Sequence, residues 1–180
     1  PYTTLFRSSS FEIFKGAFAA NLVSGAFSLI KSGISSLIGT MGEFVQEAIG
    51  QENAINKLNS ALRNSGSFTQ QASEEFQLFA SQIQATTTIA DDAVLNQIAL
   101  AKSFGATNEQ ATKITRTAIQ LSSAFGIDLD TATQMVSQSL SGATKGISKM
   151  APEIKNLTQE QLKAGVAIDI LSAKFAGFAE

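Results

Sequence analysis

The side chains that could act as acids, bases or nucleophiles are limited, because the 180-residue chain contains no histidine and no cysteine. This removes the usual general base, the usual thiol nucleophile and most transition-metal ligands. The closely spaced acids form three pairs, which are Glu74 with Glu75, Asp91 with Asp92, and Asp128 with Asp130. Each pair lies at a predicted helix start, where carboxylates cap backbone N–H groups and suit the helix dipole. We therefore expect the acids to be structural, with no catalytic residue among them, and the chain not to be an enzyme.

Motifs that bind metals, phosphates or nucleic acids are equally weak. A calcium loop needs alternating acids and a distal glutamate, which the segment from Asp128 to Asp130 lacks. Gly142 and Gly146 do not have the spacing of a phosphate-binding loop, and no predicted strand precedes them. The 13 Lys and Arg residues are scattered in a chain of net charge -2, whereas nucleic-acid binding draws on clustered positive charge. We expect no metal, no cofactor and no sequence-specific nucleic-acid binding.

The longest predicted element is an amphipathic helix over residues 11–64, a stretch without proline. Ser9 and Glu12 have the spacing of a capping box at its start. Gly66 follows its end, where glycine tolerates the left-handed conformation that closes a helix. At about 1.5 Å per residue the helix would be on the order of 80 Å long. We assign residues 9–66 to this element.

An apolar stripe runs along the helix at spacings of three and four residues. Its members are Val23, Phe27, Ile30, Ile34, Ile38, Met41, Val45 and Ile49. The spacing is an eleven-residue repeat of about 3.67 residues per turn, so the stripe runs nearly straight or coils weakly to the right. A neighbouring row widens the apolar face: Leu22, Leu29, Leu37, Phe44, Ala48, Ile55, Leu58 and Leu62. Because interior glycines weaken an isolated helix and permit close packing, we predict that the stripe is a self-association face between copies of the chain.

After Gly66 the sequence changes to shorter helices, predicted over 69–87, 91–104, 107–126 and 130–140 and from residue 158 onward. Thr107 with Gln110, and Thr158 with Gln161, have the spacing of capping boxes. Residues 141–152 read as a loop with one short turn. No segment alternates as a strand does, so the predicted class is all-α: one long amphipathic helix followed by a compact domain of about five helices at 67–180.

The two ends of the chain each carry an unusual feature. Residues 1–8, PYTTLFRS, look like the translation of a sequencing adapter, so we exclude them from fold reasoning as a cloning or assembly scar. There is no initiator methionine, and Glu180 falls within a helical pattern. We expect the chain to be a fragment of a longer protein that continues beyond residue 180.

Residues 16–38 contain a single charge, Lys31, and their length invites interpretation as a transmembrane helix. Asn21, Ser24 and Ser28 share one side with Lys31, however, and a lipid-facing helix does not usually carry such a polar face. The pattern favours a helix that packs against other helices and meets a membrane transiently.

The order of these features resembles the tape measure proteins of tailed phages and prophages over most of residues 11–180. The Phe-, Gly- and Ser-rich long helix runs into two helix-end segments of that family, QEAI at 46–49 and KLNSAL at 57–62. The short-helix segments follow in order: DDAVLN at 91–96, KSFGAT at 102–107, AFGIDL at 124–129, LSG at 140–142, LTQEQLKAG at 157–165 and KFAGFA at 174–179. Each segment also reads as caps and core, and the resemblance lies in the ordered set.

The resemblance implies a structural role and a role in genome ejection. Tape measure proteins lie as parallel copies inside the tail while the tube protein polymerises around them, so that chain length sets tail length. They leave the tube with or ahead of the DNA on infection. The implied partners are sister copies, the tail tube protein, tail assembly chaperones and the host inner membrane. The implied location is the tail tube lumen of the virion, and the host cytoplasm during assembly.

The sequence is also compatible with other functions. A membrane-active helix that assists DNA through the host inner membrane is compatible with the same residues, and a helical scaffold unrelated to phage is a further alternative. Some members of the family carry peptidoglycan-cleaving domains elsewhere in the chain. Such activity needs a carboxylate with a raised pKa in a pocket, and the sequence singles out none.

Overall fold

The computed structural model describes the backbone of residues 34–178 and the side-chain surroundings of residues 49–178. Over this range the chain is all-helical, with no strand, as the sequence predicts. The α-helices are α1 (Ile34–Asn64), α2 (Gln70–Thr86), α3 (Asp91–Ser103), α4 (Asn108–Phe125), α5 (Leu129–Gln138), α6 (Gln159–Ala164) and α7 (Val166–Lys174). Short 3-10 helices lie between α5 and α6, at Ser139–Ser141, Ile147–Lys149 and Pro152–Asn156.

Side-chain caps fix where two of these helices begin. At the start of α4 the backbone N–H of Gln110 donates to Thr107 Oγ1 at 3.2 Å, and Thr107 N–H donates to Gln110 Oε1 at 3.0 Å. Thr158 and Gln161 form the same reciprocal pair at the start of α6. Both predicted capping boxes are confirmed, because the pattern needs only four consecutive residues to satisfy two orphan N–H groups. The pattern at Ser9 and Glu12 lies outside the described residues.

Glycines in the left-handed region end α1 and α4. α1 ends at Asn64, and Gly66 has φ 66°. α4 ends at Phe125, and Gly126 caps it with φ 64°. The predicted end of the long helix is therefore confirmed, while its predicted start lies outside the described residues.

The last predicted helix, from residue 158 onward, is two helices that meet at Gly165. Gly165 has φ 89°, and its N–H donates to Leu162 O at 3.0 Å, which closes α6. The N–H of Ile168 then donates to Gly165 O at 2.9 Å, which begins α7. The apolar spacing of Leu162 and Val166 continues across this break, so periodicity alone did not detect it. The loop predicted at 141–152 likewise contains parts of three 3-10 helices rather than one short turn.

The chain divides into two compact units, Pro1–Glu47 and Ala48–Glu180. The second unit begins within α1, whereas the sequence placed the start of the compact domain at residue 67. The physical reason for the difference is that the last turns of α1 fill the core of this unit, where Leu58 and Leu62 are 0% exposed. The largest fully buried side chains are Leu58, Leu62, Val94, Leu95, Ile98, Ile114, Ile119, Leu121, Ile147, Ile154, Ile168 and Leu171.

Most helices from α2 onward pack against the helix that follows them in the chain. α2 packs on α3, α3 on α4 and α5, and α4 on α5. α6 packs on the 3-10 helix Ser139–Ser141 and on α7, and α7 returns to α4. α4 is therefore the central helix of the compact unit, and its buried face includes Ala111, Ile114, Ala118 and Leu121.

Candidate functional site

The predicted self-association face falls only partly within the described residues. Val23, Phe27 and Ile30 lie outside them. Ile34, Ile38, Met41 and Val45 lie on the described backbone of α1, but their side-chain surroundings are not described. Ile49 is 47% exposed on α1. The self-association face therefore stays a prediction. Its residues can share one side of α1 only where the helix is continuous, and α1 is continuous from Ile34 onward.

The C-terminal end of the row beside this face packs in the core of the compact unit. Leu58 and Leu62 were expected to widen the self-association face, but both are fully buried in the compact unit, with Ala54 beside them at 1% exposure. Ile55 packs against the same core. Leu58 and Leu62 are therefore not available to sister copies.

Two of the acid pairs lie at helix starts. Asp128 caps α5 as predicted, since its Oδ2 accepts from the N–H of Thr131 at 3.0 Å. Asp91 Oδ1 accepts from the N–H of Asp92 at 2.8 Å in the first turn of α3. Asp91 Oδ2 also accepts from Gln51 Nε2 at 2.9 Å, which links α3 to α1.

The third pair, Glu74 and Glu75, lies one turn inside its helix rather than at the start. Thr69 caps α2 instead, with Oγ1 accepting from the N–H of Ala72 at 2.9 Å. Glu74 and Glu75 accept from the side-chain amides one turn earlier, Gln70 at 2.9 Å and Gln71 at 2.8 Å. A carboxylate cannot cap N–H groups that already lie within the helix, and these acids act as surface hydrogen-bond acceptors.

Metal-binding clusters and membrane-spanning helices are both absent from the described residues. No group of three or more acidic side chains among them could hold a metal ion. No helix in the same part of the chain combines the length and apolar character needed to cross a membrane.

A cleft of about 540 Å³ lies between the C-terminal part of α1 and α3. Lys57 and Asn64 line it from α1, Asn96 and Lys102 from α3, and Asp130 from α5. Asp130 is engaged at this edge, because Gln97 Nε2 donates to its Oδ1 at 2.6 Å. The cleft is polar on several sides, and sequence reasoning did not identify it.

Lys102 is the unusual residue of this cleft, because it is only 4% exposed. Its Nζ donates to the backbone oxygen of Ala106 at 2.8 Å and to Asn108 Oδ1 at 3.0 Å. Both acceptors are neutral, and no carboxylate among the described residues forms an ion pair with Lys102. Burial therefore lowers the pKa of Lys102 from its ordinary value of 10.5. The ammonium fixes the connection between α3 and α4.

We expect the stability contributed by Lys102 to depend on pH. Because the folded state has the lower pKa, the unfolded chain binds more protons at pH values just below 10.5. The cost of the buried charge is fully present below the folded-state pKa and disappears as pH rises towards 10.5. The free energy of unfolding of the unsubstituted chain should therefore increase relative to that of Lys102→Met across this window. Urea unfolding at a series of pH values measures the difference.

The matched control for this experiment is Lys57→Met, an exposed lysine on the same cleft. If both variants show the same pH-dependent difference from the unsubstituted chain, the effect does not come from burial at Lys102.

An aromatic cluster lies where α4 ends and the chain leaves α7. The ring of Phe175 meets Phe125 edge-on, with centroids 5.2 Å apart, and meets Phe178 with centroids 6.1 Å apart. Phe125 is 47% exposed, and Phe178 is 56% exposed. Phe125 is the last residue of α4, where the helix has passed beyond the core that its earlier turns fill.

The chain matches no protein-family model, no curated protein and no solved structure.

Proposed function

We propose that the chain is part of a tape measure protein, which sets tail length in a phage or prophage. In this proposal parallel copies lie in the lumen of the tail tube and are released during genome ejection. The partners are sister copies, the tail tube protein and the tail assembly chaperones, with the host inner membrane met on ejection. The protein is found in the host cytoplasm during assembly and in the virion afterwards.

The observation that supports this proposal best is the continuous helix α1. It runs for 31 residues from Ile34 to Asn64, which corresponds to about 46 Å along its axis. A helix converts residue number into distance at a fixed rise, which is the physical requirement for a ruler. The last turns of α1 pack in the compact unit through Leu58 and Leu62, so that end of the helix has a defined position.

The proposal extends this helix towards the N-terminus. We propose that one long amphipathic helix over residues 9–66 precedes the compact helices. The stripe from Val23 to Ile49 on this helix contacts sister copies. The eleven-residue repeat supports this extension, because it keeps the stripe on one side over many turns.

Tail length provides the direct test. Duplicating residues 23–44, which span two eleven-residue repeats, should lengthen the tail by about 33 Å, at about 1.5 Å per residue. The duplication is made in the gene of the phage or prophage that encodes the chain. Mean tail length is then measured on many particles by electron microscopy.

The control is a Gly/Ser-rich insert of the same length at the same position. It forms a flexible coil and has no fixed rise per residue, so its length change should differ from the helical value. Tails of unchanged length in the duplication strain would contradict the ruler.

A further inference from the structure

The side of α1 that carries the stripe changes in character after Ile49. The spacings of three and four residues continue the eleven-residue repeat to residues 52, 56, 60 and 63. All four positions carry polar side chains, and we call them the polar face of α1: Glu52, Asn56, Ser60 and Arg63. The repeat of the stripe therefore continues along the helix, but its apolar character does not.

The polar face belongs to the same uninterrupted helix and lies away from the core. α1 is continuous from Ile34 to Asn64. Leu58 follows Ile49 by about two and a half helical turns, so the two residues lie on opposite sides of α1. Leu58 is fully buried, whereas all four residues of the polar face are exposed. The core of the compact unit therefore does not cover the polar face.

Some side chains of the polar face already have partners in their own chain. Ser60 Oγ donates to the backbone oxygen of Asn56 at 2.8 Å. The guanidinium carbon of Arg63 lies 4.6 Å from the centroid of the Phe68 ring, a cation–π contact. These side chains are satisfied in a single, solvated chain and need no second copy to complete their contacts.

Charge opposes contact between parallel copies along the polar face. Copies in register place each residue beside its own equivalent, so Glu52 would lie beside Glu52 and Arg63 beside Arg63. Like charges placed together in this way are unfavourable. Shifting one copy by a repeat would pair Glu52 with Arg63, but it would also set the last apolar residues of the stripe against polar residues of the next copy.

We propose that sister copies contact one another along the stripe only as far as Ile49 and separate beyond it, so that the polar face stays in water. A single asparagine can be accommodated in an interface between helices. Four successive polar positions, however, bury no apolar side chain that would offset the cost of their desolvation. The inference rests on the proposed association of sister copies and fixes where their interface ends.

Single cysteine substitutions locate this end, because the 180-residue chain has no cysteine of its own. A disulfide between copies requires two Cα atoms within about 7 Å of each other. Val45→Cys and Ile49→Cys should therefore form disulfides between copies about tenfold faster than Asn56→Cys and Ser60→Cys, or faster still. The loss of monomer on non-reducing gels during mild oxidation measures the rates.

Gln134→Cys, at an exposed position on α5, supplies the rate of random collision, which Asn56→Cys and Ser60→Cys should match. If Ser60→Cys reacts as fast as Ile49→Cys, the interface extends towards the end of α1 and the inference is wrong, although the ruler is unaffected. Oligomers in which Ile49→Cys reacts no faster than Gln134→Cys would also overturn it.

Light scattering of the reduced chain separates these outcomes from a failure of the proposed function. A chain that is monomeric at every concentration would refute the contact between sister copies, and the inference would fail with it. Circular dichroism verifies that each variant is folded.

Discussion

Replacing Leu62 by alanine is expected to lower the free energy of unfolding of the compact unit by about 2–5 kcal/mol. Leu62 lies in the last turn of α1 and is fully buried in the core. The substitution removes apolar contacts and leaves a cavity that the surrounding helices fill only in part. Urea unfolding followed by circular dichroism measures the loss, and the slope with denaturant should be unchanged.

Ile49→Ala is the natural comparison, because Ile49 is on the same helix but 47% exposed. Its effect should stay within about 0.5 kcal/mol in the isolated chain. Equal effects of the two substitutions would mean that the end of α1 does not belong to the core of the compact unit.

A paired substitution, Ile34→Asp with Ile38→Asp, is expected to abolish self-association of the chain. Both residues belong to the predicted stripe, and a carboxylate buried without a partner costs several kcal/mol per ion. Light scattering and circular dichroism over a concentration series provide the measurement. In the unsubstituted chain helicity should rise as small oligomers form, and in the double variant both signals should stay at the monomer level.

Ser35→Asp with Ser36→Asp adds the same charge to the opposite side of the helix and should leave the oligomers intact. If the unsubstituted chain is monomeric at all concentrations, sister copies are not the partner of the stripe. A tube protein or a membrane is then the next candidate.

The features predicted correctly from sequence are those decided by a few adjacent residues. The capping boxes at Thr107 and Thr158 and the helix end before Gly66 depend on local hydrogen bonds and backbone preference. Such signals need no knowledge of the rest of the fold.

The sequence could not predict what an apolar helix face packs against. Leu58 and Leu62 have the spacing of a helix face whether they meet a sister copy or their own domain. Only the arrangement of the later helices shows that they fill the core. Lys102 was missed for a related reason, because lysines are almost never fully buried, and its acceptors come together only when α3 and α4 pack.

The surroundings of Arg116 and Gln120 were equally hidden from the sequence. The two residues are polar and one turn apart, a pattern found on many solvated helix faces. In the fold Arg116 lies over the Phe79 ring of α2, and Gln120 is almost fully buried. Both are consequences of tertiary packing.

The packing of successive helices on one another also bears on how the compact unit reaches its native state. Contacts between elements close in sequence give a low relative contact order, and domains of this kind fold on the order of microseconds to milliseconds. A ribosome adds only about 5–20 residues per second. The helices from α1 to α5 can therefore dock during synthesis. Docking of α7 onto α4 comes last, because it requires the longest stretch of synthesised chain.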